Sequence, residues 1–374
     1  MKLCSAFGTL FLFILFFSGC SGQRQFHDRL IVLGIGVDFS EEKYKATVSV
    51  FDANSSSSEK EIKPKILQSE GVSVFDALSK INIETGEHLT YTHNIFLLIG
   101  EEVAKKGVNS IMDFFVRYYE SRANVSLFSV KGLASEIMNF KVSKDETITP
   151  GAIEEIANAD FLSAKEVGSN ILKFVSSLQN ATSDPETLCI KIEKTENNNF
   201  VKSEGLAVFS DDKLSGFLDA DESLGVMLLA HKARDATKFI KIPEIGDVNF
   251  SITDSNNKYD FSTSSAKFIC NTSINVKASI YEINRADSFS NVPLENYFHE
   301  LEKKLKENLE FLANKVINKV IYKYESDILC IGQRLFQNNP EYYKKVFNNW
   351  KTAIKNAEYN VNVSVKLERT GREV

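Results

Sequence analysis

The spacing of apolar positions changes several times along the chain, and each change marks an element. Arg29 to Val37, "RLIVLGIGV", is an almost unbroken apolar run and reads as a buried strand. Tyr44 to Phe51, "YKATVSVF", alternates as its partner. "NIFLLIG" at 94–100 and "NVSLFSV" at 124–130 read as further buried strands. Between the strands the period lengthens to three and four. Ser73 precedes a helical pattern with Val74, Leu78 and Ile81 on one face, and Asp76 completes a capping-box spacing. Helices are expected near Glu101–Lys106, over Val108–Tyr118 and in "LASEIMNF". Ser163 and Glu166 repeat the capping spacing ahead of a stripe of Val167, Ile171, Phe174, Val175 and Leu178. "SSSSEKE" at 55–61 is a solvated loop, and "ATSDPET" at 181–187 a turn-rich linker with the main boundary shortly after it.

The second half opens with a hairpin, "GLAVFSDDKLSGFL" at 205–218, whose polar centre Ser210–Lys213 supplies the turn. Asp219 and Glu222 start a helix rich in Leu and Met, with Lys232 and Arg234 near its end, where the helix dipole favours cations. Residues 238–284 read as several short strands separated by polar turns such as "DSNNK". Leu301, Leu305, Leu309, Leu312, Val316 and Val320 then mark a long helix. A coiled coil would use such a stripe, but packing on a sheet explains it equally and is the favoured reading. Pro340 introduces a further helix reaching Trp350, and "NVNVSVKLE" at 360–368 alternates as a strand with one wet face does. Strands and helices mix in both halves without a regular βαβ repeat. This predicts a multidomain α+β protein with mixed sheets and packed helices, each half carrying its own sheet, and neither a Rossmann nor a TIM architecture. The expected division is 1–19, 20–195 (one or two subdomains) and 196–374.

The first residues carry a different signal. Met1 and Lys2 give a positive start, and Ala6 to Phe17 is an apolar run of the length a signal peptide uses; a spanning helix needs about 20 residues. Small residues Ser18 and Gly19 then lead into Cys20 and Ser21. This resembles a bacterial lipobox, with Phe17 where Leu is usual. The resemblance implies cleavage before Cys20, a diacylglycerol on its sulfur and an acyl group on its amine. One acyl chain binds a bilayer reversibly and two hold it durably. An ordinary secretory signal or an uncleaved anchor is the alternative.

Composition adds little beyond an ordinary globular body. A net charge of −6 gives no reason to expect nucleic acid as a partner. Cys189, Cys270 and Cys330 are widely spaced and never form a CxxC pair, so they read as buried thiols, with one disulfide among them open. "GIGVDF" at 34–39 starts like a dinucleotide fingerprint, but Phe39 stands at the third glycine, and a close-packed strand explains the glycines. "DADES" at 219–223 lacks the glycine and the bidentate glutamate of a calcium loop, and helix capping explains its acids. Of His27, His88, His93, His231 and His299, none pairs at i, i+4 on a helix or neighbours a cysteine; His88 and His93 flank "LTYT" before a buried strand, where a satisfied polar contact near a core edge is the favoured reading over a metal or catalytic role. No catalytic residue, cofactor or metal ligand is nominated.

Several separate blocks, in order, resemble the Ger(x)C family, the lipoprotein C subunits of nutrient germinant receptors of endospore formers. They are "HDRLIVLGIGVD", "EHLTYTHNIFLLIGEEVAKKG", "DFFVRYYESRANVSLFSVKG", "EGLAVFSDDKLSGFLDADESLG", "SDILCIGQRLFQNNPEYYKKVFNNW" and "NVNVSVKLERTG". Ser21 and Gly22 replace a common Trp-Asp pair, and Phe217 stands where Trp is frequent. The resemblance implies a non-enzymatic subunit, lipid-anchored through Cys20 on the outer face of the spore's inner membrane. There it would assemble with two integral membrane subunits, one permease-like, to trigger germination. A solute-binding lipoprotein of a transporter and an exported wall hydrolase are the competing classes. The first needs two α/β lobes around a cleft, and the second a nucleophile or carboxylate pair.

Overall fold

The structure is a computed structural model describing residues 29–51, 64–117, 124–144, 146–159, 170–196, 198–230, 233–243, 245–264, 267–285 and 297–368. The expected signal segment, the "SSSSEKE" loop, Ser163, Glu166 and Val167 lie outside them. The strands are β1 (Arg29–Ser40), β2 (Lys43–Phe51), β3 (Lys65–Gly71), β4 (His88–Thr90), β5 (Phe96–Ile99), β6 (Ser126–Val130), β7 (Lys141–Ser143) and β8 (Glu146–Thr147). They continue as β9 (Glu186–Lys194), β10 (Asn199–Ser210), β11 (Lys213–Leu218), β12 (Ala236–Ile242), β13 (Gly246–Ser264), β14 (Lys267–Arg285) and β15 (Glu358–Leu367). The helices are α1 (Val74–Thr85), α2 (Glu101–Lys106), α3 (Asn109–Arg117), α4 (Ala134–Met138), α5 (Pro150–Ala159) and α6 (Ile171–Leu178). Then come α7 (Ala220–Ala230), α8 (Phe298–Ile317), continued by a π turn over Asn318–Lys323, α9 (Ile331–Asn338), α10 (Pro340–Val346) and α11 (Trp350–Asn356).

Nine strands form one mixed sheet in the order β11-β10-β9-β6-β5-β1-β2-β3, with β4 also pairing β1. Its centre, β1, β5, β6 and β9, is parallel, which is why those segments read as apolar runs: both faces are covered. Successive β5 residues go to opposite cores. Phe96 and Leu98 enter one, Leu97 and Ile99 the other. Helices α1, α2, α3 and α6 close one face with Leu78, Val103, Ile111 and Phe174. The glycines of "GIGVDF" serve the other face. A Cβ on Gly34 would lie 2.5 Å from the Phe96 ring, and one on Gly36 2.7 Å from the Met138 sulfur.

The second sheet has the order β12-β13-β14-β15. Helix α8 packs on β15 and α7, so its leucine stripe faces a sheet and a helix of its own chain. Phe250, Phe268, Ile274 and Val276 from this sheet share one continuous core with Leu301, Leu305 and Leu309 of α8 and with Phe96, Phe128 and Leu206 of the larger sheet. Residue 195, where the second domain was expected to end, falls in the β9–β10 turn. There Thr195 N–H donates to the Asn198 carbonyl (3.0 Å), and β10 and β11 complete the larger sheet from beyond that point.

One expectation is corrected. Residues 238–284 are not a series of short strands: β13 and β14 each run for 19 residues, and "DSNNK" lies within β13. Its inward positions are polar because they meet the end of a helix. Asn257 Nδ2 donates to the carbonyls of Leu228 and Leu229 (3.0 and 2.9 Å), Tyr259 Oη to Leu229 (2.6 Å), and Arg334 to Ala230 (2.6 Å). Ser255 Oγ accepts from Ala233 N–H at 2.7 Å. The carbonyls left over at the end of α7 thus find donors across the chain.

Candidate functional site

Cys20, the residue expected to carry the lipid, lies outside the described residues. Within them a buried polar cluster was not nominated from sequence. It joins the 181–185 linker, the β10–β11 turn and the segment between α8 and α11. Asp184 is buried; its Oδ1 accepts from Asp211 N–H (2.7 Å) and its Oδ2 from Asp327 N–H (2.6 Å) and Lys351 Nζ (2.5 Å). Asp327 is completely buried; its Oδ1 accepts from Ile331 N–H (2.9 Å), and its Oδ2 from Gly332 N–H (2.9 Å) and Trp350 Nε1 (3.0 Å). Lys351 also donates to Ser210 Oγ (3.1 Å) and the Glu325 carbonyl (3.0 Å), and Ser326 Oγ to the Phe209 carbonyl (2.6 Å).

Local sequence explains part of this. Cys330 takes a left-handed conformation (φ 55°) ahead of α9, which brings the first helical N–H groups onto the Asp327 carboxylate. Burial pushes the Asp327 carboxyl up to about 6, against the pull of its N–H donors. Every oxygen of both carboxylates is occupied by a donor, so the cluster acts as a joint between layers. The available signal was two aspartates in segments otherwise turn-like or apolar, "TSDP" and "SDIL".

The residues weighed for chemistry in the sequence do not converge. Asp38 of "GIGVDF" is buried and accepts from the N–H groups of Ala134 and Ser135 (2.8 and 2.9 Å), holding the start of α4. Asp219 and Glu222 form a reciprocal capping box (2.8 and 3.1 Å), and Glu222 binds Lys315 and Lys319 of α8. Arg234 lies beyond α7 and pairs with Asp254 at 3.1 Å, while Lys232 is outside the described residues. His88 starts β4 opposite Arg29, His93 lies exposed past its end, and His299 lines a separate groove; His27 and His231 are outside the described residues. Cys189, Cys270 and Cys330 are free thiols, each pushed up to about 12 by burial. Among the described residues no three His, Cys, Asp or Glu side chains are placed to share a metal ion. Open grooves of about 400 Å³ between α8 and β15 and about 510 Å³ beside α4 and the β9–β10 hairpin carry mixed charge on their walls.

Comparison with known proteins gives this arrangement its class. Residues 22–192 match the family described as "Spore germination protein N-terminal domain", and residues 204–371 match "Spore germination B3/ GerAC like, C-terminal". The chain belongs to the Ger(x)C family of spore germination proteins. Among curated relatives it is 22% identical to spore germination protein B3 of Bacillus subtilis (strain 168), covering 99% of both chains. Its identity to spore germination protein KC of the same organism is 20%, over 99% of this chain and 97% of the relative. The crystal structure of the GerBC protein shares the fold at a TM-score of 0.55 and 19% identity, covering 90% of this chain and 97% of that one.

Proposed function

We propose that the protein is the C subunit of a spore nutrient germinant receptor, a non-enzymatic lipoprotein held through Cys20 on the outer face of the spore's inner membrane. Two integral membrane subunits, one permease-like, are its partners. The observation that carries this reading is the pair of family matches, in order and nearly end to end, behind a lipobox-like "FFSGC". No helix among the described residues is long and apolar enough to cross a membrane, and an acylated Cys20 supplies an attachment. Confinement to the bilayer raises the body's effective concentration near membrane partners, so modest interfaces suffice. The solute-binding alternative needs two lobes facing across a cleft, whereas here the two sheets share one core.

Deleting the gene should abolish germination to at least one nutrient, and restoring it with Cys20→Ala should rescue poorly. Mass spectrometry of the processed N-terminus should find a diacylated or triacylated Cys20, and the integral subunits should co-purify from spore membranes. Undiminished germination to every nutrient, in a strain without paralogous receptors, sinks the proposal.

A further inference from the structure

A strand at the edge of a sheet turns a row of backbone donors and acceptors away from its neighbour, and proteins finish such edges in different ways. On the larger sheet, Tyr324 Oη donates to the Phe217 carbonyl of β11 (3.1 Å), and Val108 N–H donates to the Asp212 carbonyl just before that strand (3.0 Å). At the opposite edge, Lys80 Nζ donates to the Glu70 carbonyl of β3 (2.9 Å). On the smaller sheet, β12 turns Lys238 inward, buried against Asp221 (2.9 Å), and an inward charge guards an edge against strand addition.

The remaining edge, β15, is finished differently. It pairs with β14 on one side, and a groove of about 400 Å³ separates its other side from α8. Glu310 Oε1 accepts from Val363 N–H, and Glu302 Oε1 from Leu367 N–H, both at 2.9 Å. These two N–H groups therefore face away from β14, and the period of two turns those of Val361 and Val365 the same way. Neither of the latter has an acceptor on that edge among the described residues. The carboxylates thus stand, four residues apart, where the carbonyls of a further strand would lie. Each makes one such bond from a flexible side chain, so an incoming backbone can displace it, and a displaced Glu310 keeps Lys306 as a partner (3.7 Å). The other wall of the groove carries His299, Lys303 and Lys306 of α8. Lys303 is exposed and pairs with no carboxylate among the described residues.

A cleft between an edge strand and a helix gives an added strand main-chain hydrogen bonds on one side and side-chain selection on the other. The edge asks for an acceptor at every second residue, about 6.6 Å apart, which is the repeat of an extended polypeptide. We infer that β15 is a docking edge for an extended segment of another polypeptide, which joins the smaller sheet as an added strand and turns alternate carboxylates toward Lys303 and Lys306. Neither the anchor at Cys20 nor the receptor reading is needed for this.

The test uses the full chain and fluorescently labelled, end-capped peptides followed by anisotropy. The probe alternates Val and Glu, and its counterpart alternates Val and Lys. The Val/Glu peptide should bind about tenfold more tightly. N-methylation of alternate residues removes the backbone donors of one side of the peptide at a time. Methylating the side that faces β15 should abolish binding, and methylating the other should leave it within about twofold. Glu302→Ala with Glu310→Ala should tighten binding, since no carboxylate then competes for the edge. Lys303→Glu with Lys306→Glu, at exposed or half-exposed positions, should reverse the peptide preference while the far-UV circular dichroism stays unchanged. No binding of either peptide, or binding indifferent to which side is methylated, overturns the inference. An unreversed preference overturns the choice of an acidic segment. A concentration-dependent dimer of the chain, dissolved by Val365→Pro, overturns the partner, because a second copy then fills the edge.

Discussion

The two sheets solve opposite problems. The larger one is buried on both faces at its centre, so its parallel strands are apolar throughout and each residue serves one of two cores. The smaller one covers α7 and α8 with one face and leaves the other wet, where Asn256, Asn275 and Ser364 form a hydrogen-bonded row (3.1 and 2.6 Å). Burial on two faces makes a strand easy to see in sequence and intolerant of change. Burial on one face spreads the polar residues through the strand and hides its length. Yet the sheets are not energetically separate, because Phe96 of the first and Phe250 of the second share a core.

The largest effect should therefore cross the boundary between them. Phe250→Ala is expected to cost about 3–5 kcal/mol, as truncation of a buried Phe does. It should lower one common urea transition seen both by far-UV circular dichroism and by fluorescence of Trp350, the sole tryptophan. Two separated transitions would break the idea of a shared core.

Asp327→Asn should come next, at about 3 kcal/mol, since an amide nitrogen replaces a charged acceptor facing N–H donors. The accompanying change in Trp350 emission would show that the joint itself has opened. The pH dependence of that cost is a smaller effect. The folded-state pKa of Asp327, about 6, lies above its ordinary 3.8, so the fold favours the protonated form. That contribution is complete below the ordinary value and lost as pH rises through about 6. The stability gap between wild type and Asp327→Asn should accordingly narrow from pH about 4 to about 7. A gap that widens would mean that the N–H donors outweigh burial.

Smaller still, Ser73→Ala should cost about 1 kcal/mol by removing the cap that accepts from Asp76 N–H at 3.1 Å. Asn256→Ala on the wet face should stay within about 0.5 kcal/mol. An equal cost for the two would erase the distinction between a capped, buried helix and a solvated sheet face.

What the residues alone determined was local. The apolar run of β1, the Ser73 and Asp219 caps, the hairpin turn after Ser210 and the alternation of β15 all appear where periodicity and capping place them, because neighbours in the chain settle them. Asn170 is a different case: its side chain accepts from Lys173 N–H (2.8 Å) and caps the described part of the stripe that includes Ile171 and Phe174. Strands β3 and β9 and helix α5 carry no clear period of their own and were not expected; β3 and β9 take their form by pairing with neighbours already in place. The polar middle of β13 is the clearest case of tertiary decision. Asn257 and Tyr259 point inward to reach carbonyls at the end of α7, some 30 residues earlier, and no local rule predicts such a partner. The Asp184–Asp327 joint is likewise a matter of the assembled fold, since a carboxylate's role depends on which N–H groups are brought to it. Periodicity records which side of an element is covered; only packing decides what covers it.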